Sequence, residues 1–151
     1  MALIIQKYGG TSVGSTQRIE HVAARIAQFK KQGHQVVVVV SAMSGQTDKL
    51  LSLAKEIQDP PNPRELDVVL STGEQVTIGL LSLALTKLGI AAKSYTGWQI
   101  PLYTDPIYSK ARIQTIEPIR IQQDLGRGLV AVVAGFQGID SDRNITTLGR
   151  G

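Results

Sequence analysis

The chain has 151 residues, of which 42% are apolar and 19% charged; that is one domain's worth, able to bury a sizeable core, and it excludes a disordered chain. A formal charge of +4 admits a nucleic-acid partner, but Lys30-Lys31 is the one adjacent basic pair and aromatics are 5%, so the stacking platform that bases need is missing; the balance also suits small anionic substrates, and an ordinary solvated surface accounts for it best. With no cysteine, neither a disulfide framework nor a thiolate metal site is available.

Ala2 to Tyr8 is a short apolar run ending in a glycine pair and reads as a buried strand. It has no basic segment before it and no small-residue cleavage site, so it is not a signal peptide. No stretch approaches the roughly 20 apolar residues that span a bilayer, and the expectation is a cytoplasmic protein with no membrane contact. A helix follows, with Thr16 as N-cap and Ile19, Val22, Ala23, Ile26 and Phe29 on one face, stopping near Gly33. Gln35 to Ser41 carries five consecutive valines, as in a central parallel strand covered on both faces. Strand, helix, strand in this order is a βαβ unit with a right-handed crossover.

Asp48 to Ile57 reads as a helix, broken by Asp59-Pro60-Pro61-Asn62-Pro63. A further helix starts near Arg64, and a separate one runs from Glu74 to Leu88, apolar almost all round and therefore expected to be buried. Ile90 to Tyr95 is a strand, Trp98 to Ser109 irregular, Glu117 to Leu125 a helix and Leu129 to Ala134 an all-apolar strand. The tail from Gly135 to Gly151 is glycine-rich and polar, closer to a site loop than to a folding element. The pattern is an α/β sandwich with a mostly parallel sheet, without repeats or a domain boundary.

Four segments carry chemistry. Lys7-Tyr8-Gly9-Gly10-Thr11-Ser12 ends the first strand, where ligands of parallel sheets bind; its glycines let backbone N–H groups reach an anion and Lys7 adds charge, although a plain tight turn explains the pair equally well. It is neither a P-loop nor a dinucleotide fingerprint. Ser41-Ala42-Met43-Ser44-Gly45-Gln46-Thr47-Asp48 ends the second strand with small hydroxyl donors, and Ser44 or Thr47 could equally be a helix N-cap. Ser71-Thr72-Gly73-Glu74-Gln75 offers a carboxylate for a substrate ammonium, or simply an acid favoured by a helix start. Thr146-Thr147-Leu148-Gly149-Arg150-Gly151 sets a guanidinium between glycines, suited to a carboxylate or phosphate, or an ordinary exposed arginine. His21 and His34 look like surface or packing residues.

In their order, KYGGTSVGS, VVVVVSAMSGQTDKLL, STGEQV, VVAGFQG and TTLGRG resemble the successive signature segments of the aspartokinases in the amino acid kinase superfamily, from about residue 2 to residue 151. The resemblance implies a three-layer αβα sandwich and transfer of the γ-phosphoryl of ATP, with its Mg²⁺ carried by the nucleotide, to the side-chain carboxylate of L-aspartate. It implies that Lys7, Tyr8, Gly9 and Gly10 form the phosphate-binding segment, with Lys7 and Gly10 catalytic. Ser41, Thr47, Glu74 and Arg150 would bind the amino acid, Glu74 taking the amine and Arg150 a carboxylate, over a floor of Gly135, Phe136 and Gln137. No metal ligand of the chain's own is implied. It further implies that the chain is the N-terminal part of a catalytic domain whose ATP-binding half and ACT domains lie elsewhere, so that this piece alone has little kinase activity. Self-association into a homo-oligomer is left open, as are another amino acid kinase and a non-catalytic aspartate-binding or assembly fragment.

Overall fold

The computed structural model describes residues 1–149. The first strand, β1 (Leu3–Tyr8), leads into helix α1 (Thr16–Lys31) and strand β2 (Gln35–Val40). Helices α2 (Gln46–Ile57) and α3 (Pro63–Lys87) follow, then β3 (Ala92–Tyr95), β4 (Leu102–Thr104) and β5 (Ile113–Ile116). Helix α4 (Ile119–Gly126) precedes β6 (Val130–Ala134), β7 (Gln137–Ile139) and β8 (Ile145–Thr147). One four-stranded sheet has the order β1-β2-β6-β3 with every pairing parallel; a second has the order β5-β4-β7-β8 and is mixed.

The valine run of β2 explains the layering, because successive side chains in a strand point to opposite faces. Val36, Val38 and Val40 join Val130, Val132 and Ala134 of β6 on one face, where they meet Ile19, Val22, Ala23 and Ile26 of α1 and Ile78, Leu81 and Leu85 of α3. Each fully buried leucine contributes roughly 1.5–3 kcal/mol. Val37 and Val39 point the other way and join Tyr95, Ala131 and Val133 against Ile100, Leu102, Leu148 and Ile121 of α4. Helices on one face, sheet, then α4 and the second sheet on the other give the α/β sandwich with a mostly parallel sheet that the pattern predicts.

Several local expectations are corrected. The N-cap of α1 is Ser15, whose side chain accepts from the Arg18 N–H, not Thr16. The N-cap of α2 is Gly45 rather than Ser44 or Thr47. The two helices expected between Arg64 and Leu88 are one 25-residue helix, so Glu74 lies in its middle and not at a start. The Ser-Thr-Gly sequence does not break it: Ser71 Oγ and Thr72 Oγ1 bond back to the Val68 and Val69 carbonyls, and an interior glycine costs only about 1 kcal/mol. Nor is it buried all round, for Val76 is 54% and Leu83 66% exposed. By length and composition α3 could cross a membrane, but here it packs on the parallel sheet with Asp67 and Glu74 buried inside the protein. The stretch from Trp98 holds β4, which pairs with an unforeseen β5. The tail is not a loop: β7 and β8 form a hairpin closed at Asp140, which accepts from the Asp142 and Asn144 N–H groups.

Candidate functional site

The carboxyl ends of β1 and β2 are adjacent, Tyr8 pairing with Val40, and the loops leaving them are tied together. The Ser41 N–H donates to the Tyr8 carbonyl at 3.3 Å and the Ser44 N–H to the Gly10 carbonyl at 3.1 Å. Close approach requires Gly10, since a Cβ there would sit 3.0 Å from the Ala42 carbonyl oxygen. Gly9, by contrast, has open space where its Cβ would be, so an anion can approach this backbone, and the Lys7 side chain is exposed beside it. The Tyr8 side chain turns toward α1: its hydroxyl donates to Gln6 Oε1, and its ring lines a separate cleft with Ser12, Arg18, His21 and Arg25. Burial, opposed by the Arg25 charge, raises its pKa. Only the backbone of Tyr8 faces the strand end.

Beside these loops lies a cavity of about 180 Å³ lined by Ser41, Ala42, Thr47, Leu70, Glu74, Phe136 and Thr147. Five segments converge on it: the end of β2, the first turn of α2, the middle of α3, the β6–β7 junction and the end of β8. Thr47 sits where the free N–H groups and dipole of α2 favour an anion. Helix α3 comes close enough because of Gly73, where a Cβ would be 3.0 Å from that of Ala42.

Glu74 dominates the electrostatics. It is 4% exposed; its Oε1 accepts from Gln137 Nε2 at 3.1 Å, while Oε2 accepts from no described residue. Burial pushes its pKa up to about 7, against the opposing effect of the Gln137 hydrogen bond and of the nearby Phe136 and Gly135 N–H groups, which make no hydrogen bond to it. Gln137 is held in one orientation, since its Oε1 accepts from the Gly97 N–H and its Nε2 also donates to the Ser71 carbonyl. A carboxylate with one oxygen committed and one uncommitted is built for a cationic donor such as an ammonium, while the hydroxyls of Ser41 and Thr47 and the start of α2 suit an anion.

Ser41, Thr47 and Glu74, chosen from sequence, are thus brought around one cavity, with Phe136 in its wall. Lys7, Gly9 and Gly10 adjoin it through the strand ends without lining it, and Arg150 lies outside the described residues. Thr147 as a wall residue and Asp67, one turn before Leu70 and two before Glu74, were not singled out. The available signal was spacing: Asp67, Ser71, Glu74, Ile78, Leu81 and Leu85 share one helical stripe, so an acid among them has to be buried. Among the described residues no group of three or more His, Cys, Asp or Glu could hold a metal. A larger cavity of about 690 Å³, beside Trp98, Arg120 and Arg143, has no buried polar atom lacking a partner among its lining residues.

The model of the amino acid kinase family matches residues 2–151. The chain is 60% identical over 151 residues to the aspartate kinase of Stutzerimonas stutzeri (strain A1501) and 55% identical over 151 residues to aspartokinase 2 of Bacillus subtilis (strain 168). Both alignments cover 100% of this chain and 37% of the relative, so the chain spans little more than a third of their length. Among solved structures, the aspartate kinase from Synechocystis superposes with a TM-score of 0.83 at 49% identity, over 99% of this chain and 24% of that one. Aspartokinase III of E. coli, in complex with aspartate and ADP, gives 0.85 at 19% identity, over 100% of this chain and 44% of that one, a likeness of fold alone.

Proposed function

Because the chain belongs to the amino acid kinase family, we propose that it forms the L-aspartate and phosphoryl-binding part of an aspartokinase, working in the cytoplasm on ATP and L-aspartate to give 4-phospho-L-aspartate. The observation that carries this reading is the buried Glu74 with its uncommitted Oε2, set in one cavity with Ser41 and Thr47. Such a site suits a zwitterion: the ammonium at Glu74 and carboxylate oxygens at the hydroxyls and the α2 start. The 60% identity to an aspartate kinase supports L-aspartate as the amino acid.

The reaction needs no general base, since a carboxylate with a pKa near 4 is already ionised at neutral pH. An oxygen of the substrate side chain forms the new bond to the γ-phosphorus as the bond to the bridging oxygen breaks, and ADP leaves with the electron pair. The protein's task is to hold two anions in line and offset their repulsion. Lys7 and the open backbone at Gly9 suit the phosphates, and Gly10 keeps that turn docked on the β2 loop. Mg²⁺, carried by the nucleotide, would shield the phosphates.

The test is an ATP-turnover assay of the full-length protein against L-aspartate, L-glutamate, carbamate and UMP. Turnover with L-aspartate at least ~10-fold above L-glutamate, carbamate or UMP is expected, a margin of about 1.4 kcal/mol. Equal or preferred use of one of the others would refute the assignment.

A further inference from the structure

Asp67 is fully buried in the second turn of α3, yet it touches no cation among the described residues. Instead it accepts four hydrogen bonds from two distant segments. Oδ1 takes the hydroxyls of Ser109 at 2.9 Å and Thr147 at 2.8 Å. Oδ2 takes the backbone N–H groups of the same two residues, both at 2.9 Å. Burying a carboxylate costs several kcal/mol unless donors surround it, so this arrangement exists only while both segments stay in place. Ser109 is held with a φ of 65°, a conformation unfavourable for serine, and Thr147 is a wall of the cavity that contains Glu74.

We propose that Asp67 is a positioning residue for the amino-acid pocket, acting through Thr147; this rests on the aspartokinase reading above. An ionised carboxylate only accepts, so the single hydrogen of the Thr147 hydroxyl is committed to Asp67. Any further partner of that hydroxyl can therefore only be a donor. Thr147 thus adds no hydroxyl donor for a carboxylate to the wall it shares with Glu74, whose open Oε2 favours a group with several N–H donors, an ammonium. Loss of Asp67 frees the hydroxyl to donate and lets the end of β8 shift.

Steady-state kinetics of the full-length protein carrying Asp67→Asn, Thr147→Val or both tests this. Either single change is expected to raise the KM for L-aspartate ~10-fold while moving the KM for MgATP less than ~2-fold, and the double change to add little, because both remove the same contact. If Asp67→Asn fails to fold, Thr147→Val opens the clamp from its other end and gives the same readout. An unchanged aspartate KM with only a lowered melting temperature would overturn the proposal, as would effects that multiply in the double variant. A wild-type protein inactive on L-aspartate would instead refute the reading on which it rests.

Discussion

At the scale of single residues, Glu74 sets stability against binding. Its folded-state pKa of about 7 exceeds the ordinary value of 4.5, so the fold favours the protonated form. That contribution is fully present below about pH 4.5 and is lost as pH rises through about 7; above it the buried charge costs on the order of 3 kcal/mol. Glu74→Gln keeps the shape without the charge. Urea unfolding should show it more stable than wild type by about 1–3 kcal/mol at pH 8 and by much less at pH 5. An equal difference at both values would mean that burial does not govern this carboxyl. Ser41 and Thr47 stood out in the sequence because a short polar segment follows the apolar strand β2 at the edge where ligands bind, and Glu74 because the order of the segments resembles the aspartokinase signatures, although the helix start expected there is the middle of α3. Asp67 was not, since a lone acid among Leu66, Val68 and Val69 gives no sign of the four donors that arrive from 42 and 80 residues away.

At the scale of elements, α3 shows how a site is built into a helix that must also pack. Ser71 and Thr72 satisfy their hydroxyls on their own helix, and Gly73 leaves room for the loop after β2. Local chemistry therefore reads as a break where tertiary contact makes a continuous helix. A Cβ at residue 73 already meets Ala42 at 3.0 Å and Leu50 at 3.4 Å, so the branched side chain of Gly73→Val has no space. It should destabilise the protein by about 2–3 kcal/mol and push the loop carrying Ser41 outward, weakening aspartate binding as well. A urea midpoint within error of wild type would show that the helix and loop are not in contact. The missed strands β4, β5, β7 and β8 are each three or four residues long. Segments that short carry no periodicity, and their pairing is fixed by partners such as Asp140 and Gln137 rather than by their own composition.

At the scale of the whole molecule, the parallel sheet was readable because β2 and β6 are nearly all β-branched or small apolar residues, a composition that only burial on both faces explains. The second sheet was not, and it matters to the site, since β7 and β8 bring Gln137 and Thr147 to Glu74 and Asp67. In the proposed function the first strands would supply the phosphate end and the second sheet the amino-acid end, with α3 carrying both acids between them. The central claim is that Glu74 Oε2 receives a substrate ammonium inside this closed arrangement. It is tested most directly by calorimetric titration of L-aspartate into the wild-type protein and into Glu74→Gln across pH 5.5 to 8.5. The account predicts that wild-type affinity rises nearly tenfold per pH unit up to about pH 7 and then levels, as Glu74 ionises, and that Glu74→Gln binds at least ~10-fold more weakly at pH 8 with no such slope. Wild-type affinity that is flat with pH and matched by Glu74→Gln would contradict it.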